Sequence, residues 1–150
     1  MKKDKAIYFD MDGTIVDLYG VRSWLKQLQS CNPAPYKSAA PLLKLSMLAR
    51  KLNKLQRRGY TIGIVSWLSK NSTIEYEQAV TKAKIEWLNK HLHSVQWNEI
   101  HIVSYGTPKS TVVSKPKGIL FDDEEKNRAE WKGKAFDVTN ILNVLKMIEE

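Results

Sequence analysis

A chain of 150 residues that is 43% hydrophobic and 27% charged is long enough to bury one substantial core, and this composition excludes disordered, fibrous and disulfide-scaffold classes. The single cysteine, Cys31, cannot form an internal disulfide, so a reducing compartment is expected, and no run approaches the roughly 18 apolar residues of a membrane span. The net charge of +8 favours anionic partners such as phosphates, nucleotides or nucleic acid, with a solvated basic surface as the other reading.

The N-terminus, MKKDKAIYF, is basic and then apolar, but the run is too short for a signal peptide and meets Asp10 at once, so a cytoplasmic protein is expected. Residues 5–9 read as a first strand that ends on Asp10 and Asp12. Residues 30–41 carry Pro33, Pro35 and Pro41 and read as a loop. Leu42, Leu45, Leu48, Leu52 and Leu55 recur every three or four positions and predict a helix with one apolar stripe. The densest basic stretch, residues 49–58, shares that helix. Gly59 stops it, and the β-branched residues 60–65 predict a second strand leading to Ser66. Asn71-Ser72-Thr73 caps a long helix through about Leu92, with Ile85 and Leu88 facing inward.

A third strand is expected at 100–104. The connection 105–117 holds Gly106, Pro108 and Pro116 and leaves room only for a brief helix near 110–114. Residues 118–121 form a fourth strand running into Asp122 and Asp123, and 135–138 a weaker fifth. Ile141, Leu145 and Ile148 stripe the last helix. Trp87 and Trp131 are assigned to helix packing. His91, His93 and His101 lack ligand spacing, and zinc is not expected with one cysteine. Strands apolar on both faces and alternating with helices predict one α/β domain over residues 1–150, a doubly wound three-layer sandwich with a mostly parallel sheet. No repeat or inter-domain linker interrupts it.

In such a sheet ligands bind at the carboxyl ends of the strands. Asp10 and Asp12, Ser66, Lys109, and Asp122 with Asp123 each follow a separate strand. Carboxylates gathered in one crevice need neutralising, and Mg²⁺ accepts oxygen ligands and a phosphate together. Lys109 adds a second positive charge. A phosphate dianion can then approach an anionic nucleophile. Gly13 leaves room for backbone N–H groups to face the phosphate, and Thr14 and Ser66 add hydroxyl donors. Trp67, beside Ser66, joins the phosphate-binding set. It could stack a nucleobase, as could Tyr19 and Trp24. Taken singly, each piece has a plainer reading as a turn, a helix cap or a surface lysine. A calcium loop is excluded because DMDGTIVDLYG lacks the later ligands and the terminal Glu.

The stretches FDMDGT, IGIVS, a loop lysine and LFDD resemble the four signatures of the haloacid dehalogenase-like phosphohydrolases. The layout of residues 64–123 is similar to the 5′(3′)-deoxyribonucleotidase branch. The resemblance implies that Asp10 attacks phosphorus, forming an aspartyl-phosphate, and that Asp12 is the general acid and base. It implies that Ser66 and Lys109 bind the phosphoryl group. It further implies that Asp10, the Asp12 carbonyl, Asp122 and Asp123 hold Mg²⁺. Lys115 and Lys117 also precede the fourth strand; Lys109 is preferred because it opens a possible short helix. A small helical cap is expected at about residues 17–59. The implied activity is Mg²⁺-dependent hydrolysis of a small phosphorylated metabolite or (deoxy)nucleotide. A phosphatase acting on polynucleotide ends and a non-catalytic phosphate-binding domain are the alternatives.

Overall fold

The computed structural model of the chain describes residues 5–149; the basic residues 1–4 and the terminal residue 150 lie outside that range. Five strands form the main sheet: β1 (Ala6–Phe9), β4 (Thr61–Trp67), β5 (Glu99–Val103), β6 (Ile119–Phe121) and β7 (Ala135–Phe136). Their order is β5-β4-β1-β6-β7, and every pairing is parallel. The expected doubly wound α/β architecture is therefore present, with β1 central. Its neighbours β4 and β6 sit in register, Phe9 opposite Ile64 on one side and Phe121 on the other.

Alternation along β1 separates two of the buried apolar clusters, one on each face of the sheet. Ile7 and Phe9 face a large cluster with Ile62, Ile64 and Phe121. It is closed by Leu48, Leu52 and Leu55 of α3 (Leu45–Arg57), by Trp87 and Leu88 of α4 (Ile74–His91), and by Ile141 and Leu145 of α6 (Ile141–Glu149). Ala6 and Tyr8 face the opposite side, where Val65, Leu120, Val113 and Trp131 pack on them. Trp131 follows the short α5 (Glu125–Glu130), so it packs on the sheet from a helix end rather than from within a helix. Its ring meets Tyr8 edge-on, and its indole N–H donates to the Gly118 carbonyl.

Between β1 and β4 the chain makes two excursions. A two-stranded ribbon, β2 (Val16–Asp17) with β3 (Ala40–Pro41), pairs antiparallel. From its far side project a 3₁₀ turn (Leu18–Gly20), α1 (Trp24–Gln29) and α2 (Ala34–Ser38). The expected loop at 30–41 thus contains a helical turn and a strand. Pro35 stands in the first turn of α2, where its missing N–H costs nothing. α3 then packs beside α6 under the sheet. α4 begins where expected, with the Thr73 hydroxyl accepting from the Tyr76 N–H. Of the two residues expected inward on it, Leu88 is buried but Ile85 is exposed. The brief helix after β5 is a 3₁₀ turn at Lys109–Thr111. Among the described residues no helix is long and apolar enough to cross a membrane.

Candidate active site

The carboxyl ends of β1, β4 and β6 meet at one edge. Asp10 leaves β1 still bound to the sheet, its N–H donating to the Phe121 carbonyl at 3.0 Å. The chain then turns tightly: the N–H groups of Thr14, Ile15 and Val16 all donate to the Met11 carbonyl. Lys109, brought over by its 3₁₀ turn, donates to Asp10 Oδ1 at 2.9 Å and to Asp122 Oδ2 at 2.7 Å. All three of these residues are buried. Lys115 instead donates to the Thr61 hydroxyl, and Lys117 is exposed. Asp122 also accepts from the Glu124 N–H and the buried Asn127 side chain. Thr14 donates its hydroxyl to Asp10 Oδ2 at 2.9 Å.

Asp10, Asp122 and Asp123 offer carboxylate oxygens lying within 4.8 Å of one another. Burial, the Asp10 charge and an Asp10 hydrogen bond push Asp123 up to about 8, with Asp122 adding to the shift. Burial and Asp10 likewise raise Asp122, against the pull of Lys109. Burial works against the Lys109 charge, but Asp10 and Asp122 outweigh it and hold its pKa above the ordinary value. The cluster thus carries more negative charge than one lysine offsets. Its all-oxygen donor set fits a hard divalent cation such as Mg²⁺. The Asp12 side chain lies outside this group, held by another cation.

Gly13 has φ +82°, and a Cβ there would come 2.2 Å from Asp123 Oδ2 and 2.9 Å from the Tyr19 ring. Only glycine accepts both that backbone and that approach. Its N–H is taken by the Val16 carbonyl, and that of Thr14 by Met11. These two amides are therefore engaged within the turn, and the glycine makes room for Asp123. Gly13, Thr14 and Ser66 do not line the cavity over the site, whereas Asp10, Asp12, Trp67, Lys109, Asp122 and Asp123 do.

Sequence reading missed Lys84. It is 1% exposed, yet Nζ donates to Asp12 Oδ2 at 2.9 Å, Ser66 Oγ at 2.7 Å and the Trp67 carbonyl at 2.8 Å. Burial raises the Asp12 pKa; Lys84 opposes that and Asp10 adds to it. A signal was present: Tyr76, Val80, Lys84 and Leu88 stand four apart, so this lysine interrupts an apolar stripe of α4.

The cavity holds about 490 Å³. Its floor is the acidic cluster. Its walls include Tyr19, Trp24, Leu28 and Tyr36 from the excursion after β2, and Tyr76 and Tyr105 from the main body. Tyr19 and Trp24 meet edge-on at 4.9 Å, and Trp67 and Tyr105 lie 5.0 Å apart. The Trp67 indole N–H donates to the Thr107 carbonyl, and Lys109 Nζ sits 5.5 Å from its ring centroid.

No protein-family model matches the chain, and no curated protein matches it in sequence. In shape it is similar to the D,D-heptose 1,7-bisphosphate phosphatase of Burkholderia thailandensis, with a TM-score of 0.58 at 10% identity over 97% of this chain and 99% of that one. The five-stranded parallel sheet and its helices thus share their fold with that phosphatase, in keeping with the α/β architecture expected from the alternation of strands and helices.

Proposed function

We propose that the protein is a Mg²⁺-dependent phosphomonoesterase working through an aspartyl-phosphate. The observation that carries this reading is the buried Asp10–Lys109–Asp122 arrangement, with Asp123 beside it, at the carboxyl edge of a parallel sheet. The shared fold with a phosphatase supports it.

A carboxylate of Asp10 attacks phosphorus, forming the Asp10 O–P bond as the ester P–O bond breaks. Asp12, protonated, gives its proton to the departing oxygen and releases the alcohol. Asp12 then takes a proton from water, whose oxygen attacks phosphorus and displaces the Asp10 carboxylate. Phosphate leaves, and Asp12 is again protonated. Burial raises the Asp12 pKa and so favours the protonated starting form. Lys109 orients Asp10 and meets the phosphoryl oxygens. Asp10, Asp122, Asp123 and the Asp12 carbonyl hold Mg²⁺, which when bound supplies charge that offsets the phosphoryl dianion.

The part of residues 17–59 standing over the cavity, 18–36, serves as the cap. Its aromatic walls favour a flat leaving group, so a nucleoside monophosphate is the preferred substrate within the class of small phosphate esters. A cavity of about 490 Å³ accommodates one nucleotide.

The test is phosphate release from a panel of nucleotides, sugar phosphates and an aryl phosphate, with and without Mg²⁺. Metal-dependent turnover is expected. Asp10→Asn lowers it at least ~10³-fold, about 4 kcal/mol of barrier. No turnover on any member, with no beryllofluoride adduct on Asp10, would leave phosphate binding without catalysis. Oligonucleotide binding that weakens steeply with salt would instead move the substrate to polynucleotide ends.

A further inference from the structure

Lys84 lies on α4, which otherwise supplies apolar side chains to the interior. A buried ammonium is costly unless its protons are matched, and here all three are: Asp12 Oδ2, Ser66 Oγ and the Trp67 carbonyl. Its Nζ also sits 5.2 Å from the Tyr36 ring centroid. Ser66 and Trp67 belong to β4, so Lys84 ties Asp12, on the loop after β1, to the neighbouring strand.

Two details show what this tie does. Asp12 Oδ1 is buried and has no hydrogen-bond partner, whereas Oδ2 is held. The carboxylate is therefore fixed by one oxygen, and the other is left without a protein partner on a residue that lines the cavity. Because the Ser66 hydroxyl accepts from Lys84, its own proton is directed elsewhere. The two lysines divide the site: Lys109 holds the Asp10–Asp122 pair, and Lys84 holds Asp12 alone.

Resting on the phosphatase reading, we infer that Lys84 is a positioning residue that locks the Asp12 carboxylate by Oδ2 and so holds it in place to protonate the departing oxygen of the substrate. Lys84 touches no reacting atom. It acts through Asp12, and its removal weakens the step in which a leaving oxygen needs a proton.

The experiment compares an alkyl phosphate, whose alkoxide is a poor leaving group, with p-nitrophenyl phosphate, whose phenolate leaves without help. In Lys84→Met, kcat/KM, which reports transfer to Asp10 and not the later hydrolysis of the aspartyl-phosphate common to both esters, is expected to fall ~10²-fold on the alkyl ester and less than about fivefold on the aryl ester. The ratio of the two rates, taken within one preparation, is independent of the fraction folded. Adding Lys84→Met to Asp12→Asn should cost nothing further on the alkyl ester. Equal losses on both esters, or additive losses in the double variant, overturn the inference and leave the phosphatase reading standing. If Lys84→Met does not fold, Lys84→Gln, which keeps a donor for one partner, carries the same comparison. A wild-type protein inactive with Mg²⁺ on both esters and on the nucleotide and sugar-phosphate panel, with no beryllofluoride adduct on Asp10, overturns the phosphatase reading and the inference with it.

Discussion

Lys109 is the residue whose removal discriminates most sharply between a structural ion pair and a metal site. Replacing it with Met leaves Asp10 and Asp122 buried together without their cation. In metal-free protein this should cost about 3 kcal/mol, read by urea denaturation. Saturating Mg²⁺ should recover more stability in Lys109→Met than in the parent, because the ion then supplies the missing charge. Equal recovery in both would count against a site shared by lysine and metal. Asp10, Asp122 and Asp123 were legible in the sequence because they follow apolar runs, and Lys109 because it opens a short helical turn in the loop after β5; strand ends converge in this architecture. Lys84 was not, because which stripe of a helix faces a site is decided by packing, even though its place among Tyr76, Val80 and Leu88 marked it as buried.

At the scale of elements, β5 is anchored to the sheet by a polar knot rather than by apolar side chains alone. Glu99 accepts from Tyr8 at 2.9 Å, from the Ser114 backbone at 3.0 Å and from the Ser114 hydroxyl, and pairs with the His101 ring at 2.8 Å. Burial works to raise its pKa, but these hydrogen bonds prevail and hold it at about 2. A folded-state pKa depressed below the unfolded value adds stability that is fully present above about pH 4.5 and is lost as pH falls toward 2. Glu99→Gln should therefore cost about 2–3 kcal/mol at pH 7, with the difference from the parent shrinking between pH 4.5 and 2 in denaturant titrations. A pH-independent difference would show that the charge of Glu99 is not what anchors the strand. Strand β5 itself was readable from its β-branched residues. The knot was not, since Tyr8, Glu99 and Ser114 lie far apart in the chain and meet only through strand order.

At the scale of the molecule, the cavity joins an acidic floor from the sheet to aromatic walls from the excursion after β2. Trp24 belongs to the walls and takes no part in the acidic cluster. Trp24→Ala should raise KM for a nucleoside monophosphate ~10-fold, about 1.4 kcal/mol, and leave KM for a small alkyl phosphate unchanged. A parallel rise for both esters would place Trp24 in the fold of the cap rather than in contact with the base. The same experiment separates the chemistry at the floor from selection at the walls.

Apolar runs ending in Asp10, Ser66 and Asp122 were enough to specify a parallel sheet and to put carboxylates at one edge of it. Periodicity and the position of polar residues after strands are local properties, and they survive without knowing which strand neighbours which. Tertiary structure alone decided that Gly13 yields its space to Asp123, that residues 30–41 hold a helical turn and part of a ribbon, and that Lys84 reaches Asp12. The contacts of Gly13 with Asp123, of Lys84 with Asp12 and of the ribbon strands with each other depend on distances between segments remote in the chain, which side-chain volume and strand order set and local pattern does not encode.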